Sequence, residues 1–337
     1  MKTILMTGTL LLAGTAAASA QNVELRFSTF LPPAHPVHEA FEEWAASLNE
    51  ASGGTISGTL YPAQQLGRAD DHYDMTRDGI ADMAYINVGY QAGRFPLAEA
   101  VHLPFMISDG VGGTQAFDSW YRPFAESEME EVKYCLGFMH APASLHSRTE
   151  VRTPDAAQGL KVRTANSVIA DFLTQLGGSN VRVSAAEART ALESGVADAV
   201  TFPWGSISSF GLDSVVSYAM DAPFFVSGFA WVVNPQTYER FNDEQRAAFD
   251  SHCSTGWAVQ VASTWNAHEQ EGYEALKNSD NYNVYSLTGD ELGAWLEAAE
   301  QAQQRWADNA EAAGIDDPLT ALEELRDALR SEGAALQ

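Results

Sequence analysis

Positive charge is scarce in this 337-residue sequence: 19 Lys and Arg stand against 45 Asp and Glu, a formal net charge of −26. Such acidity repels phosphate backbones and anionic lipid head groups, which argues against nucleic acid or a membrane surface as partner. Cysteine is also scarce. Cys135 and Cys253 stand alone, so the fold does not depend on a disulfide framework. An oxidising compartment would permit a bridge between them, but Cys135 lies in the apolar run from Tyr134 to Met139 and Cys253 in a predicted helix, and two separately buried thiols are an equal expectation. Beyond the N-terminus no apolar run reaches the roughly 18 residues of a membrane helix, so no stable membrane insertion is expected. A P-loop, a Gly-x-Ser-x-Gly elbow, a Rossmann glycine fingerprint and an HExxH motif are all missing. No catalytic residue, cofactor or metal site is therefore predicted. His35 and His38 are three apart, yet no matching Cys/His pair accompanies them, and they are read as residues at a helix start.

What is present begins with Lys2, an apolar stretch from Ile4 to Ala13 and a small-residue run ending in Ala18-Ser19-Ala20. This is the pattern of a secretory signal peptide, cleaved after Ala20, and it predicts a periplasmic protein. The stretch is interrupted by Thr7, Gly8 and Thr9, which suits a leader better than an anchor, and no cysteine follows the cleavage site to accept a lipid.

The mature chain alternates strand and helix. Val23 to Thr29 reads as a strand, and Val37, Ala40, Phe41, Trp44, Ala45 and Leu48 mark one helix face, stopped at Gly53-Gly54. A strand over Ile56 to Tyr61, a helix from about Asp70 to Asp78 and a short strand from Met83 to Ile86 follow, the signature of an α/β unit. The pattern restarts with strands at Lys133 to Met139 and Lys161 to Arg163, a helix through Val168, Phe172 and Leu176, and a strand at Asn180 to Val183. Ser184 and Glu187 form a capping box, and Ala199 to Phe202 is a strand running into Pro203. The C-terminal third is mainly helical, with Asn242/Gln245 capping one long segment and Thr288/Glu291 another, whose apolar face includes Trp295 and Trp306 as core or docking residues. There is no internal repeat.

Several fragments, in this order, carry a resemblance: Phe27-Ser28-Thr29 with His35-Pro36-Val37-His38; Tyr61-Pro62-Ala63-Gln64-Gln65-Leu66-Gly67; Asp78-Gly79-Ile80-Ala81-Asp82-Met83; Leu103-Pro104-Phe105; Thr153-Pro154; Gly159-Leu160-Lys161-Val162-Arg163; and Ala191-Leu192-Glu193-Ser194-Gly195-Val196-Ala197-Asp198. The chain resembles the DctP-like substrate-binding proteins of tripartite ATP-independent periplasmic (TRAP) transporters over nearly its whole mature length. The resemblance implies a two-lobed α/β periplasmic binding protein, type II-like, with a ligand cleft between the lobes and long C-terminal helices. Lobe I is expected to hold 21–139 plus about 228–266, and lobe II 140–227 plus about 267–337. Expected partners are a small organic acid and the small and large integral membrane components of the transporter. A ligand-sensing subunit, or an exported enzyme, is the alternative.

The family motif further implies that Arg163 binds a carboxylate, and a guanidinium does present a planar fork that matches one bidentately. Where many members have a second arginine this chain reads Pro142-Ala143, and where they often read Gln-Glu-Asn-Pro it reads Val200-Thr201-Phe202-Pro203-Trp204. Exchanging polar contacts for apolar ones disfavours sugar acids and favours a small or partly apolar monocarboxylate, aromatic or 2-oxo/2-hydroxy substituted. Phe202 and Trp204 are candidates for its apolar part, with core packing as their other reading. From the first lobe Phe30, Gln64, Asn87 and Tyr90 follow strands at the edge expected to face the cleft, and Phe225 and Trp231 are additional aromatic candidates.

Overall fold

The computed structural model describes residues 22–336, so the signal peptide and its cleavage site after Ala20 lie outside the described residues. The chain begins with β1 (Val23–Ser28), α1 (Pro36–Ala51), β2 (Ile56–Tyr61), α2 (His72–Arg77), β3 (Met83–Asn87), α3 (Gly110–Glu128) and β4 (Lys133–Met139). Next come β5 (Ser144–Ser147), β6 (Lys161–Arg163), α4 (Ser167–Gln175), β7 (Ser179–Asn180), α5 (Ala188–Glu193), β8 (Ala199–Phe202), α6 (Trp204–Ser209) and β9 (Tyr218–Met220). Then β10 (Gly228–Val233), α7 (Pro235–Glu239), α8 (Asp243–His252), α9 (Thr255–Lys277), β11 (Asn283–Tyr285), α10 (Gly289–Ala312) and α11 (Pro318–Ser331) complete it.

The strands form two sheets, ordered β2-β1-β3-β10-β4 and β11-β9-β5-β8-β6-β7, one per lobe. β1 runs parallel to β2 and β3, while β10 is antiparallel to β3 and β4. All six residues of β10 are buried, as expected of an interior strand covered on both faces. Its register sets Phe229 opposite Asn87 and Gly228 opposite Met139, so the ends of β3 and β4 and the start of β10 share one edge. In the second sheet Arg163 pairs with Val200 and Phe202 with Ser144, which gathers the ends of β6 and β8 at the corresponding edge. The chain passes between the sheets after β4 and before β10.

Helix α9 ties the lobes together. It packs on α1, α3 and β4 of the first lobe and on α6 and β11 of the second. Its approach to α6 is backbone on backbone: a Cβ on Gly272 would lie 2.1 Å from the Cα of Gly205. At α1, His35 caps the helix by accepting from Val37 N, Pro36 occupies the first turn, and Val37, Phe41, Trp44 and Leu48 are buried as the spacing predicts.

Some elements depart from the sequence reading. The helix expected over 70–78 splits into a 3₁₀ turn at Ala69–Asp71 and the short α2. The strand expected to Val183 pairs only through Ser179–Asn180. The long segment capped by Asn242 breaks at Cys253, between α8 and α9, and Cys253 is bonded to Cys135 of β4. The thiols are thus bridged, not separately buried, with Cα atoms 4.4 Å apart. The C-terminal helices do not stay with the second sheet: Trp295 of α10 lies in the second-lobe core, whereas Trp306 of α10 and Leu322, Leu325 and Leu329 of α11 pack with Phe117 and Tyr121 of α3.

Candidate functional site

Where the two sheet edges face each other, Phe30, Asn87 and Tyr90 of the first lobe and Arg163 and Phe202 of the second converge on one cavity of about 40 Å³. Each follows or ends a strand: Phe30 lies beyond β1, Asn87 and Tyr90 at the end of β3, Arg163 at the end of β6 and Phe202 at the end of β8. Asn87 caps the 3₁₀ turn that carries Tyr90, accepting from Gly89 N at 2.9 Å, and its amide nitrogen reaches Ala165 O of the other lobe at 3.4 Å.

Arg163 is 2% exposed and, among the described residues, is the one arginine or lysine that is buried. Its Nε donates to Val183 O (3.1 Å), Nη2 to the hydroxyl of Tyr90 (2.9 Å) and Nη1 weakly to Thr201 O (3.5 Å). All three acceptors are neutral, and among the described residues no ion pair includes Arg163. A guanidinium has five N–H donors. With three engaged, one N–H remains on each terminal nitrogen, as many as a carboxylate's two oxygens would accept. The Phe202 ring centroid lies 5.5 Å from the guanidinium carbon, so the charge is flanked by an aromatic face.

Four other candidates lie off this cavity. Gln64 sits in a left-handed turn (φ 63°), and its side-chain oxygen accepts from Ala69 N at 2.9 Å, holding the turn before α2. Trp204 opens α6 with its ring edge-on to His146 and Tyr273, both at 5.1 Å. Phe225 is buried in the second-lobe core beside Phe224, its backbone bridged to Ala143. Trp231 is likewise core, among Phe27, Phe41 and Trp44.

Residues 27–309 match the bacterial extracellular solute-binding protein family 7, the DctP family. The chain belongs to this family. It is similar to a TRAP solute-binding protein from a marine metagenome, specific for aromatic acid ligands and crystallised with 3-hydroxybenzoate: 26% identity, 93% of this chain and 99% of that chain covered, TM-score 0.87. A TRAP protein of Bordetella bronchiseptica with bound (R)- and (S)-mandelate is also similar, at 26% identity over 92% of this chain and 99% of that one, with a TM-score of 0.85. A solute-binding protein of Chromohalobacter salexigens is 26% identical over 272 residues, 80% of each chain.

The cavity of this TRAP solute-binding protein also has walls that the sequence reading did not identify. Tyr85, Phe229 and Trp265 line it, with His35, His140 and Ser206. His140 accepts from Ser227 N at Nε2 (3.0 Å) and donates from Nδ1 to Ala141 O (2.6 Å); burial pushes its pKa down to about 4, so it presents a neutral ring. His35, whose Nδ1 takes the Val37 N–H, is also held neutral by burial. Behind the wall, Glu269 of α9 is 1% exposed and accepts from Gly205 N, Ser206 N and Oγ, and Trp265 Nε1. Burial raises its pKa while those bonds oppose the rise, and its lone pairs are already taken. This carboxylate fastens α6 to α9 rather than offering charge to the cavity. Among the described residues no helix is long and apolar enough to cross a membrane, and no three His, Cys, Asp or Glu side chains are grouped to hold a metal.

Proposed function

We propose that this TRAP solute-binding protein captures a small aromatic monocarboxylate outside the cytoplasm and passes it to the membrane components of its transporter. One observation carries the reading: a buried guanidinium with no ion-pair partner among the described residues faces a cavity walled by Phe30, Tyr85, Phe202, Phe229 and Trp265. The ligand carboxylate would take the two remaining N–H groups of Arg163, and its ring would lie between these aromatic faces, which favour offset and edge contacts. The same wall offers few partners for a row of sugar hydroxyls, each of which loses its water on entering. The aromatic acids held by the similar proteins of the marine metagenome and of Bordetella bronchiseptica support this chemistry.

In this reading the lobes are 21–139 with about 228–266, and 140–227 with about 267–337 apart from the C-terminal packing described above. They close on the ligand, and the chain is exported with cleavage after Ala20. Mass spectrometry of the exported protein checks the last point, since an N-terminus at Gln21 is expected and an intact Met1 would refute it. The ligand class is tested by a thermal-shift screen of the mature protein with benzoate, 3-hydroxybenzoate, mandelate, glucuronate and benzylamine. A ligand at 100 times its dissociation constant adds about 2.7 kcal/mol, enough to raise the melting temperature by several degrees. Stabilisation by the aromatic acids alone is expected; stabilisation by benzylamine or glucuronate alone would sink the proposal.

A further inference from the structure

Tyr85 is fully buried on β3, and its hydroxyl has no hydrogen-bond partner. Among the described residues with such an unpartnered buried polar atom, it is the one that lines the ligand cavity. Burying a hydroxyl without a partner is costly, and proteins accept that cost where a ligand supplies the bond. Its place along the wall is informative. Arg163 contacts Tyr90 at 2.9 Å, and the rings then follow in series: Tyr90 to Phe30 (5.6 Å), Phe30 to Tyr85 (5.0 Å), Tyr85 to Phe229 (5.0 Å), Phe229 to Trp265 (5.0 Å) and Trp265 to His35 (5.2 Å). Tyr85 thus comes after Tyr90 and Phe30 in the row of rings that starts at the Arg163 contact, on the wall along which the ring of a ligand held at Arg163 would lie.

A second donor stands further along. With Nδ1 of His35 accepting from Val37 N, its hydrogen is on Nε2, whose contact with Ser206 Oγ is long at 3.5 Å. The hydrogen of that serine is committed to Glu269.

We propose that Tyr85 is a specificity-determining residue, selecting an aromatic acid that carries a ring hydroxyl in addition to its carboxylate, with His35 as a second donor beyond it. A hydroxyl suits this position because it can give its hydrogen to the tyrosine oxygen or accept from either donor. An unsubstituted ring leaves the tyrosine unpaired, and that difference separates the two ligands. The inference rests on the aromatic-acid reading above.

Calorimetric titration of the wild type and Tyr85→Phe with benzoate, 3-hydroxybenzoate and 4-hydroxybenzoate tests it. The wild type should prefer at least one hydroxybenzoate over benzoate by about tenfold, the worth of one net hydrogen bond. Tyr85→Phe should bring that ratio close to one. Removing an unpaired hydroxyl at constant shape should not lower the melting temperature of the unliganded protein, whereas a structural role for the hydroxyl would. Equal affinity of the wild type for benzoate and both hydroxybenzoates, or a preference that survives Tyr85→Phe, overturns the inference while leaving the aromatic-acid reading intact. Failure of all three acids to bind overturns both.

Discussion

Arg163 and Tyr90 meet across the cleft, Nη2 of the arginine donating to the tyrosine hydroxyl at 2.9 Å. The same hydroxyl accepts from Ala185 N, also at 2.9 Å, so one phenol of the first lobe holds two groups of the second. A bond between the lobes thus orients the guanidinium that the ligand would use. Tyr90→Phe keeps the ring and removes both bonds. It is expected to weaken binding of 3-hydroxybenzoate by about 1.5–3 kcal/mol, the range for hydrogen bonds to charged groups. Because the loss falls on the closed complex, stopped-flow kinetics should show mainly faster dissociation. An unchanged dissociation rate would count against this role.

The bridge between Cys135 and Cys253 closes a separation of 118 residues and pins the junction of α8 and α9 to β4. Restricting an unfolded loop of that length is worth on the order of 3–5 kcal/mol in the chain-entropy account. Replacing both cysteines by serine should lower the urea midpoint accordingly, with ligand affinity retained in the folded fraction because neither cysteine lines the cavity. A midpoint unchanged within error would show that the bridge adds no stability.

Acidification should destabilise the protein well before its surface carboxylates titrate. Burial pushes the pKa of His102 down to about 3, of His140 to about 4 and of His146 to about 3. Below pH about 6.5 the unfolded chain takes up protons that these three rings refuse, so each one removes about 1.4 kcal/mol per pH unit. Glu99 acts in the opposite sense. Burial pushes its pKa up to about 7, so below that pH the folded chain binds a proton that the unfolded chain does not take until about pH 4.5. The expected result is a urea midpoint that falls between pH 6.5 and 4.5, and a steeper fall in Glu99→Gln. A midpoint that rises over this range would contradict the assignment of neutral histidines.

The parts of the site that could be read in advance are those whose position follows from a strand end. Asn87 and Arg163 end strands, and Phe30 and Tyr90 come just after strands, that the sequence reading located, and the registers bring those ends to two facing edges. Phe202 and Trp204 are two apart and would share a face in a continuing strand. At Pro203 the period changes from two to 3.6, and Trp204, the first residue of α6, turns away to His146. Tyr85 was hidden for the opposite reason: all five residues of β3 are buried, so no alternation of polar and apolar residues tells which face looks into the cavity. Helix α3 was obscured by Gly110, Gly112, Gly113 and Pro123, which read as punctuation although the helix runs for 19 residues. The disulfide depends on a Cα approach between distant segments, which spacing along the chain does not encode.

The most direct measurement is an isothermal titration of 3-hydroxybenzoate into the wild type, Arg163→Lys and Arg163→Ala, with unliganded melting curves alongside. If Arg163 holds the carboxylate in a site shielded from water, Arg163→Ala should weaken binding by about 2–5 kcal/mol, since the ligand's charge is then buried without its partner. Arg163→Lys should recover only part of this, because an ammonium lacks the planar fork. The melting temperature without ligand should fall far less than the affinity, as the arginine's own contacts are three bonds to neutral oxygens. An Arg163→Ala protein that binds the acid as tightly as the wild type, or that loses its fold while the surviving fraction keeps full affinity, would contradict the carboxylate clamp.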